Sequence, residues 1–255
     1  MKVLLTNDDG IHAPGLMALY KELKKDFDLS VVAPESEMSA VGHAITLELP
    51  LRVRKVRKNG SFFGYGVNGT PADCVKIAVQ ELLEIVPDVV ISGINLGANV
   101  GVNVLYSGTV SAATEGAFLG IKSAALSLNT RRKPDFGFTA RFSRNIIQFL
   151  QDTDLRKGTA LNVNVPAVSP GEIQGVSFTR QGVGRFEERF ERRIDPRGNV
   201  YYWLTGETPV EEEAADADAN VLNKNRITIT PINYDLTSRE DLENLCDLPL
   251  PDCKV

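Results

Sequence analysis

The chain has 255 residues, 43% of them hydrophobic, with 28 basic and 33 acidic side chains and a formal net charge of −5. A chain of that length buries about 70 to 75% of its unfolded surface, enough for one large domain with an appendage and no covalent staple. The acidic balance excludes bulk electrostatic capture of a nucleic-acid backbone. Three cysteines (Cys74, Cys246, Cys253) and two distant histidines (His12, His43) form neither a disulfide framework nor a zinc-finger spacing.

The first apolar run, Val3 to Leu5, is too short for a signal peptide or a membrane span, so a cytoplasmic setting is the expectation. It reads as a buried strand that passes through Thr6 and Asn7 into Asp8, Asp9 and Gly10. Leu16, Leu19, Tyr20 and Leu23 then recur at helical spacing behind Pro14 and Gly15. Leu29 to Ala33 predicts a second strand, stopped by Pro34. Thr70-Pro71-Ala72-Asp73 has the hydroxyl, proline and acid of a helix start, with Ile77, Ala78, Leu82 and Ile85 as its expected buried stripe.

A third strand is expected from Asp88 to Ser92, followed by a glycine-rich loop and a small-residue helix from about Val110 to Leu119. Ala124 to Leu128 and Leu161 to Val165 read as further buried strands. Strands separated by helices predict an α/β fold, Rossmann-like, with three layers and a mostly parallel sheet. In such sheets ligands gather at the carboxyl ends of the strands, so the loops after the first three strands become candidates for one site.

The last third differs. Arg185 to Arg193 reads RFEERFERR, Asp195-Pro196-Arg197-Gly198 offers a turn, and Val200 to Thr205 returns as an aromatic-rich strand. An isolated hairpin is marginal in water, so Phe186, Phe190, Tyr201, Tyr202 and Trp203 need a surface to cover them. Two readings stand: a C-terminal β-hairpin arm that packs on a neighbouring subunit, or one folded back on its own domain. Glu207 to Asp218 holds six carboxylates and no basic residue, the mark of a solvated loop. Ile227 to Ile232 predicts a closing strand, and Thr237 with Glu240 a capping box for a short final helix. The expected division is a core over 1–180, an arm over 181–206, and a segment over 207–255 that returns to the core.

Three loops carry residues suited to chemistry. Asp8 and Asp9 repel each other, and a hard divalent cation held by their oxygens would relieve the cost of joint ionisation. A bare Asp-Asp-Gly triplet also suits an ordinary turn. Ser92 to Gly101 (SGINLGANVG) allows close backbone approach, so Asn95 could turn its amide oxygen toward a cation. Its spacing matches neither a dinucleotide fingerprint nor a P-loop. Ser107-Gly108-Thr109 opens the small-residue helix, where free amides, two hydroxyls and the helix dipole suit phosphate; the alternative is a plain N-cap by Ser107 or Thr109. His12 and His43 lie in loops near these motifs, as candidate proton donors or as ordinary loop histidines. Cys74 reads as packing.

In order along the chain, NDDG after the first strand, APESEMS (33–39) after the second, SGINLGANVG after the third and YSGTVSAATEG (106–116) resemble the SurE family of survival-protein nucleotidases. The resemblance implies a metal-dependent phosphomonoesterase acting on nucleoside 5′- and 3′-monophosphates and, in some members, short polyphosphate. It implies Asp8, Asp9, Ser39 and Asn95 as metal ligands, with Mg²⁺ or Mn²⁺ as the expected cation, and Asp8 and Asp9 as the catalytic pair. Ser107, Gly108 and Thr109 would then hold phosphate oxygens. It further implies a homodimer or homotetramer joined through the arm. Unlike many relatives, the stretch Glu35 to Met38 has no basic residue. A haloacid-dehalogenase-like phosphatase would need its acids one residue apart. The alternative from another class is a non-catalytic Mg²⁺-binding receiver or ligand-sensing module, which would need a phosphoacceptor acid between Ser92 and Gly101, where there is none.

Overall fold

The structure, a computed structural model, describes residues 1–130, 132, 134–183, 186–209 and 214–248. Strand β1 (Lys2–Thr6), helix α1 (Pro14–Leu23) and strand β2 (Asp28–Pro34) open the fold. The hairpin β3 (Val53–Lys58) and β4 (Ser61–Val67) follows, then α2 (Pro71–Ile77), β5 (Val89–Leu96), α3 (Gly108–Phe118), β6 (Lys122–Asn129), α4 (Gly137–Asp152) and β7 (Thr159–Pro166). Beyond these lie β8 (Val176–Phe178), the hairpin β9 (Phe186–Ile194) and β10 (Val200–Pro209), α5 (Asp218–Leu222), β11 (Ile227–Asn233) and α6 (Arg239–Cys246).

Nine strands form one sheet in the order β3-β4-β2-β1-β5-β6-β7-β11-β8. From β4 to β7 all are parallel; β3 runs against β4, and β11 runs against β7 but parallel to β8. Helices α1 and α4 cover one face, where Leu16, Leu19, Leu23, Ile146, Ile147 and Leu150 are buried on β1, β5 and β6. Helices α2 and α3 cover the other, with Cys74, Val75 and Ala112 against Leu4, Val32 and Val90. Gly15 lets α1 lie almost on the β5 backbone, because a Cβ there would fall 2.0 Å from the Ile94 carbonyl oxygen. The predicted mostly parallel three-layer α/β core is therefore the observed one.

Strand β1 is flanked by β2 on one side and β5 on the other, so the chain order reverses about β1. The crevice at the carboxyl end of such a switch point is where open α/β sheets bind ligands. Asp8 and Asp9 follow β1 directly, and Asn95 lies at the end of β5.

Several expectations are corrected. The third strand does not stop at Ser92 but runs to Leu96, because Gly93 accommodates an irregularity in the pairing with β6 before Asn95 resumes opposite Ser127. The first glycine of the supposed loop, Gly93, thus belongs to the strand. The capping box of Thr70 and Asp73 forms as predicted, but the α-helix ends at Ile77 in a π-helical turn, Ala78–Leu82, and Ile85 is exposed instead of completing a stripe. No Thr237–Glu240 capping box forms: Ser238 occupies the N-cap position, its hydroxyl donates to Asp241, and the Thr237 amide donates to Asp235.

The acidic stretch is not uniformly solvated. Residues 210–213 lie outside the described residues, Asp216 pairs with Arg180 at 2.9 Å, and Asp218 is fully buried, accepting amide hydrogens from Gly101, Gly182 and Ala219. The arm forms with the predicted turn, Gly198 N–H donating to the Asp195 carbonyl. Arg185, where that reading began, lies outside the described residues, as does Cys253. The arm is a two-stranded sheet separate from the main one. Phe190 is 71% exposed and Trp203 56%, so these two aromatic side chains are not covered by their own domain. Among the described residues no helix is long and apolar enough to cross a membrane.

Candidate metal and phosphate site

Asp8 is buried at 6% exposure, in the first turn beyond β1. The Asn7 amide closes this turn by donating to the Gly10 carbonyl at 3.0 Å, and Gly10 takes the left-handed φ of 97° that the reversal needs. The Thr109 hydroxyl donates to Asp8 Oδ1 at 2.5 Å, and the Thr109 amide also reaches that carboxylate. Burial pushes the Asp8 carboxyl above its ordinary range, the Thr109 hydrogen bonds oppose this, and the Glu37 charge adds to the rise. Asp9 has no such donor. Burial first, then the charges of Asp8 and Glu37, push its carboxyl up to about 7.

The loop after β2 is tied to this turn at both ends. Ile11 N–H donates to the Pro34 carbonyl and Met38 N–H to the Asp8 carbonyl, each at 2.8 Å. Ser39 therefore follows a residue fixed on Asp8; it is exposed, and its hydroxyl donates to Glu37 at 2.5 Å. Asn95 is half-buried, and its amide nitrogen donates to the Gly97 carbonyl at 2.8 Å. That bond uses one of the two amide hydrogens and leaves the side-chain oxygen as an acceptor.

Helix α3 closes the site. Gly108 permits its amino terminus to touch the acidic turn, since a Cβ there would lie 2.7 Å from Asp8 Cβ. The expected phosphate seat is altered in detail. The Ser107 hydroxyl caps the helix by accepting from Val110 N–H, and the Thr109 hydroxyl is committed to Asp8, so both hydroxyls already have partners. For Ser107 the plain N-cap reading is the observed one. The first-turn amide left for an anion is that of Gly108, which has no hydrogen-bond partner among the described residues.

A divalent cation suits these residues. The Asp8–Asp9 pair is penalised for ionising, a penalty that a cation between them reverses, and Asn95 and Ser39 add neutral hard oxygen donors. Among the described residues no group of three or more His, Cys, Asp or Glu is placed to hold a metal ion. His12 is exposed beside the turn. His43 has both ring nitrogens engaged, Nε2 with Glu115 at 2.8 Å and Nδ1 with the Thr114 hydroxyl at 3.3 Å.

Sequence reading missed the residues that hold these loops in place. Asn99, in the glycine-rich segment, is 8% exposed and bound to Ser127, Asn162 and Asn164, while Gly101 is held by Asp218. Asp73 ties the 40s loop through Thr46 N–H and the Thr46 hydroxyl. These contacts span 27 to 117 residues of sequence and leave no local pattern.

Residues 3–188 match the family described as Survival protein SurE. Two similar proteins are the 5'-nucleotidase SurE of Syntrophus aciditrophicus, 56% identical over 96% of this chain and 92% of its own length, and that of Syntrophobacter fumaroxidans, 51% identical over 96% and 98%. Among solved structures, the SurE protein of Aquifex aeolicus superposes with a TM-score of 0.83 at 38% identity, covering 96% of this chain and 98% of that one.

Proposed function

The chain belongs to the Survival protein SurE family, and on that premise we propose that it is a 5′-nucleotidase, a metal-dependent phosphomonoesterase that hydrolyses nucleoside monophosphates to nucleoside and phosphate. The observation that carries this reading is the Asp8–Asp9 pair at the switch point of the sheet, with the amino terminus of α3 against it. A divalent cation bound there neutralises phosphate charge and makes water a better nucleophile.

The chain's own residues supply the rest. Asp8 and Asp9 would hold the cation, and Asn95 and Ser39 would add neutral oxygen ligands that leave positive charge for the substrate. Thr109 favours the ionised form of Asp8 by donating to it, against the burial that raises that carboxyl. The Gly108 amide and the dipole of α3 orient the phosphate. Ser107 fixes that helix terminus by accepting from Val110 N–H, and its hydroxyl keeps a proton to donate to a phosphate oxygen.

The finer parts of this reading are Mg²⁺ or Mn²⁺ as the cation, activity on 3′- as well as 5′-monophosphates and on short polyphosphate, and a cytoplasmic location. The chain divides functionally into a core over 1–180, an arm over 181–206 and a returning segment over 207–255. The exposed aromatic side chains of the arm are covered by a second subunit in a homodimer or homotetramer. Phosphate release from a panel of 5′- and 3′-nucleoside monophosphates, with Mg²⁺, Mn²⁺ or EDTA, tests the activity. Release that depends on metal supports it, and metal binding without release on any substrate would turn the assignment to a sensing module.

A further inference from the structure

Downstream of Ser39, residues 40–46 adopt no helix or strand, yet they are fastened at four residues. Gly42 N–H donates to the Tyr106 carbonyl at 3.0 Å, just ahead of α3. His43 Nε2 meets Glu115 Oε2 at 2.8 Å, the Thr70 hydroxyl donates to the Ala44 carbonyl at 2.7 Å, and Thr46 is bound twice to Asp73. Ser39 thus stands between two fixed points: Met38, bonded to the Asp8 carbonyl, and the Gly42–His43 pair, bonded to α3 and its approach.

Glu115 is the anchor of the second point. It is 4% exposed, and its other oxygen accepts from Lys76 Nζ at 2.7 Å. Burial alone would raise its carboxyl, but the hydrogen bonds and charges of His43 and Lys76 outweigh burial and hold it below the ordinary range. A buried carboxylate with two basic partners and no place in the reaction calls for another task. Its helix supplies one: α3 also carries Thr109, the donor to Asp8.

We propose that α3 is a common bracket for two sides of the metal site, Thr109 fixing Asp8 and Glu115 fixing the Ser39 segment through His43, so that His43 and Glu115 are positioning residues for the cation. The inference rests on the metal-site reading above. Partners that orient ligands in this way typically change metal affinity about 10-fold to 100-fold when removed. Neither residue touches the substrate.

The test is calorimetric titration of Mn²⁺ into the full chain without substrate, for the wild type, His43→Ala and His43→Gln, alongside the thermal midpoint of each metal-free protein. His43→Ala leaves the Glu115–Lys76 pair intact, so the fold should hold. The expected result is Mn²⁺ binding weakened about 10-fold by His43→Ala, with most of the loss recovered in His43→Gln, whose amide can still donate to Glu115. The metal-free thermal midpoints should coincide. A wild type that binds Mn²⁺ with an affinity His43→Ala leaves unchanged would overturn the positioning role alone. A His43→Ala protein that loses thermal stability and binds Mn²⁺ normally would do the same. A wild type that binds no Mn²⁺ would overturn the metal-site reading itself.

Discussion

The Thr109 hydroxyl donates to the Asp8 carboxylate across 101 residues of sequence, joining the start of α3 to the turn after β1. A hydrogen bond to a charged group is worth about 1.5 to 3 kcal/mol, enough to decide whether a buried acid ionises near neutral pH. Thr109→Val removes the donor and lets burial raise Asp8 further. The acid limb of the kcat/KM profile should therefore move to higher pH, with about a 10-fold or greater loss on that limb, and Thr109→Ser should restore it. A pH series on the three proteins decides this. An unmoved acid limb in Thr109→Val would separate Thr109 from the ionisation of Asp8.

Asp9 gives a stability prediction with a definite sign. Its carboxyl rises from an ordinary 3.8 to about 7 in the folded, metal-free protein. Between those two values the folded state holds a proton that the unfolded chain has lost, so this group's contribution to stability is full only below pH 3.8. That contribution is lost progressively as pH rises through about 7. Denaturant unfolding in EDTA between pH 4 and 8 should show stability falling with pH in the wild type, with a shallower fall in Asp9→Asn. Added divalent cation should reverse the loss at pH 7.5 in the wild type and not in the variant. Identical slopes in the two proteins would contradict the raised pKa of Asp9.

Gly108 is a steric requirement. An added Cβ would meet Asp8 Cβ at 2.7 Å and Pro71 Cγ at 3.1 Å. Gly108→Ala should push α3 away from the acids and lower kcat/KM about 100-fold, the scale of a misplacement near 1 Å. Circular dichroism should remain native, because the clash is confined to the site. Activity within twofold of the wild type would show that the contact is slack.

The arm carries the prediction on assembly. Tyr202 and Leu204 are 59% and 56% exposed on β10, apolar surface with no cover in the single chain. A double Tyr202→Ser, Leu204→Ser variant should shift the mass measured by light scattering from an oligomer toward the monomer. The core should keep its thermal transition. An oligomer of undiminished stability would place the interface elsewhere.

Most of the core was legible in the sequence because its signals are local. The Thr70–Asp73 box, the proline ahead of α1 and the apolar runs of β1, β2, β6 and β7 each state their element within a few residues. The β3–β4 hairpin went unread because Arg54, Lys55, Arg57 and Lys58 dominate an exposed edge strand and two glycines interrupt β4. Helix α4 went unread although Ile146, Ile147 and Leu150 mark its buried face. At the site, Asp8, Asp9 and Asn95 could be named from adjacent charge, strand ends and family resemblance. The commitment of Thr109 to Asp8 could not, since composition does not say which of two hydroxyls a carboxylate 101 residues away will take. Asp218 shows the same limit: in an acidic run it looks solvated, yet it is the acceptor that Gly101 and Gly182 need inside the fold.

The most direct test of the central claim is kcat/KM for a nucleoside 5′-monophosphate with saturating Mn²⁺, compared between the wild type and Asp8→Asn. The account predicts a loss of about 100-fold or more with the thermal transition retained, because the variant surrenders one of two carboxylates that hold the cation. Full activity in a folded Asp8→Asn would contradict the assignment of the paired acids as the metal site.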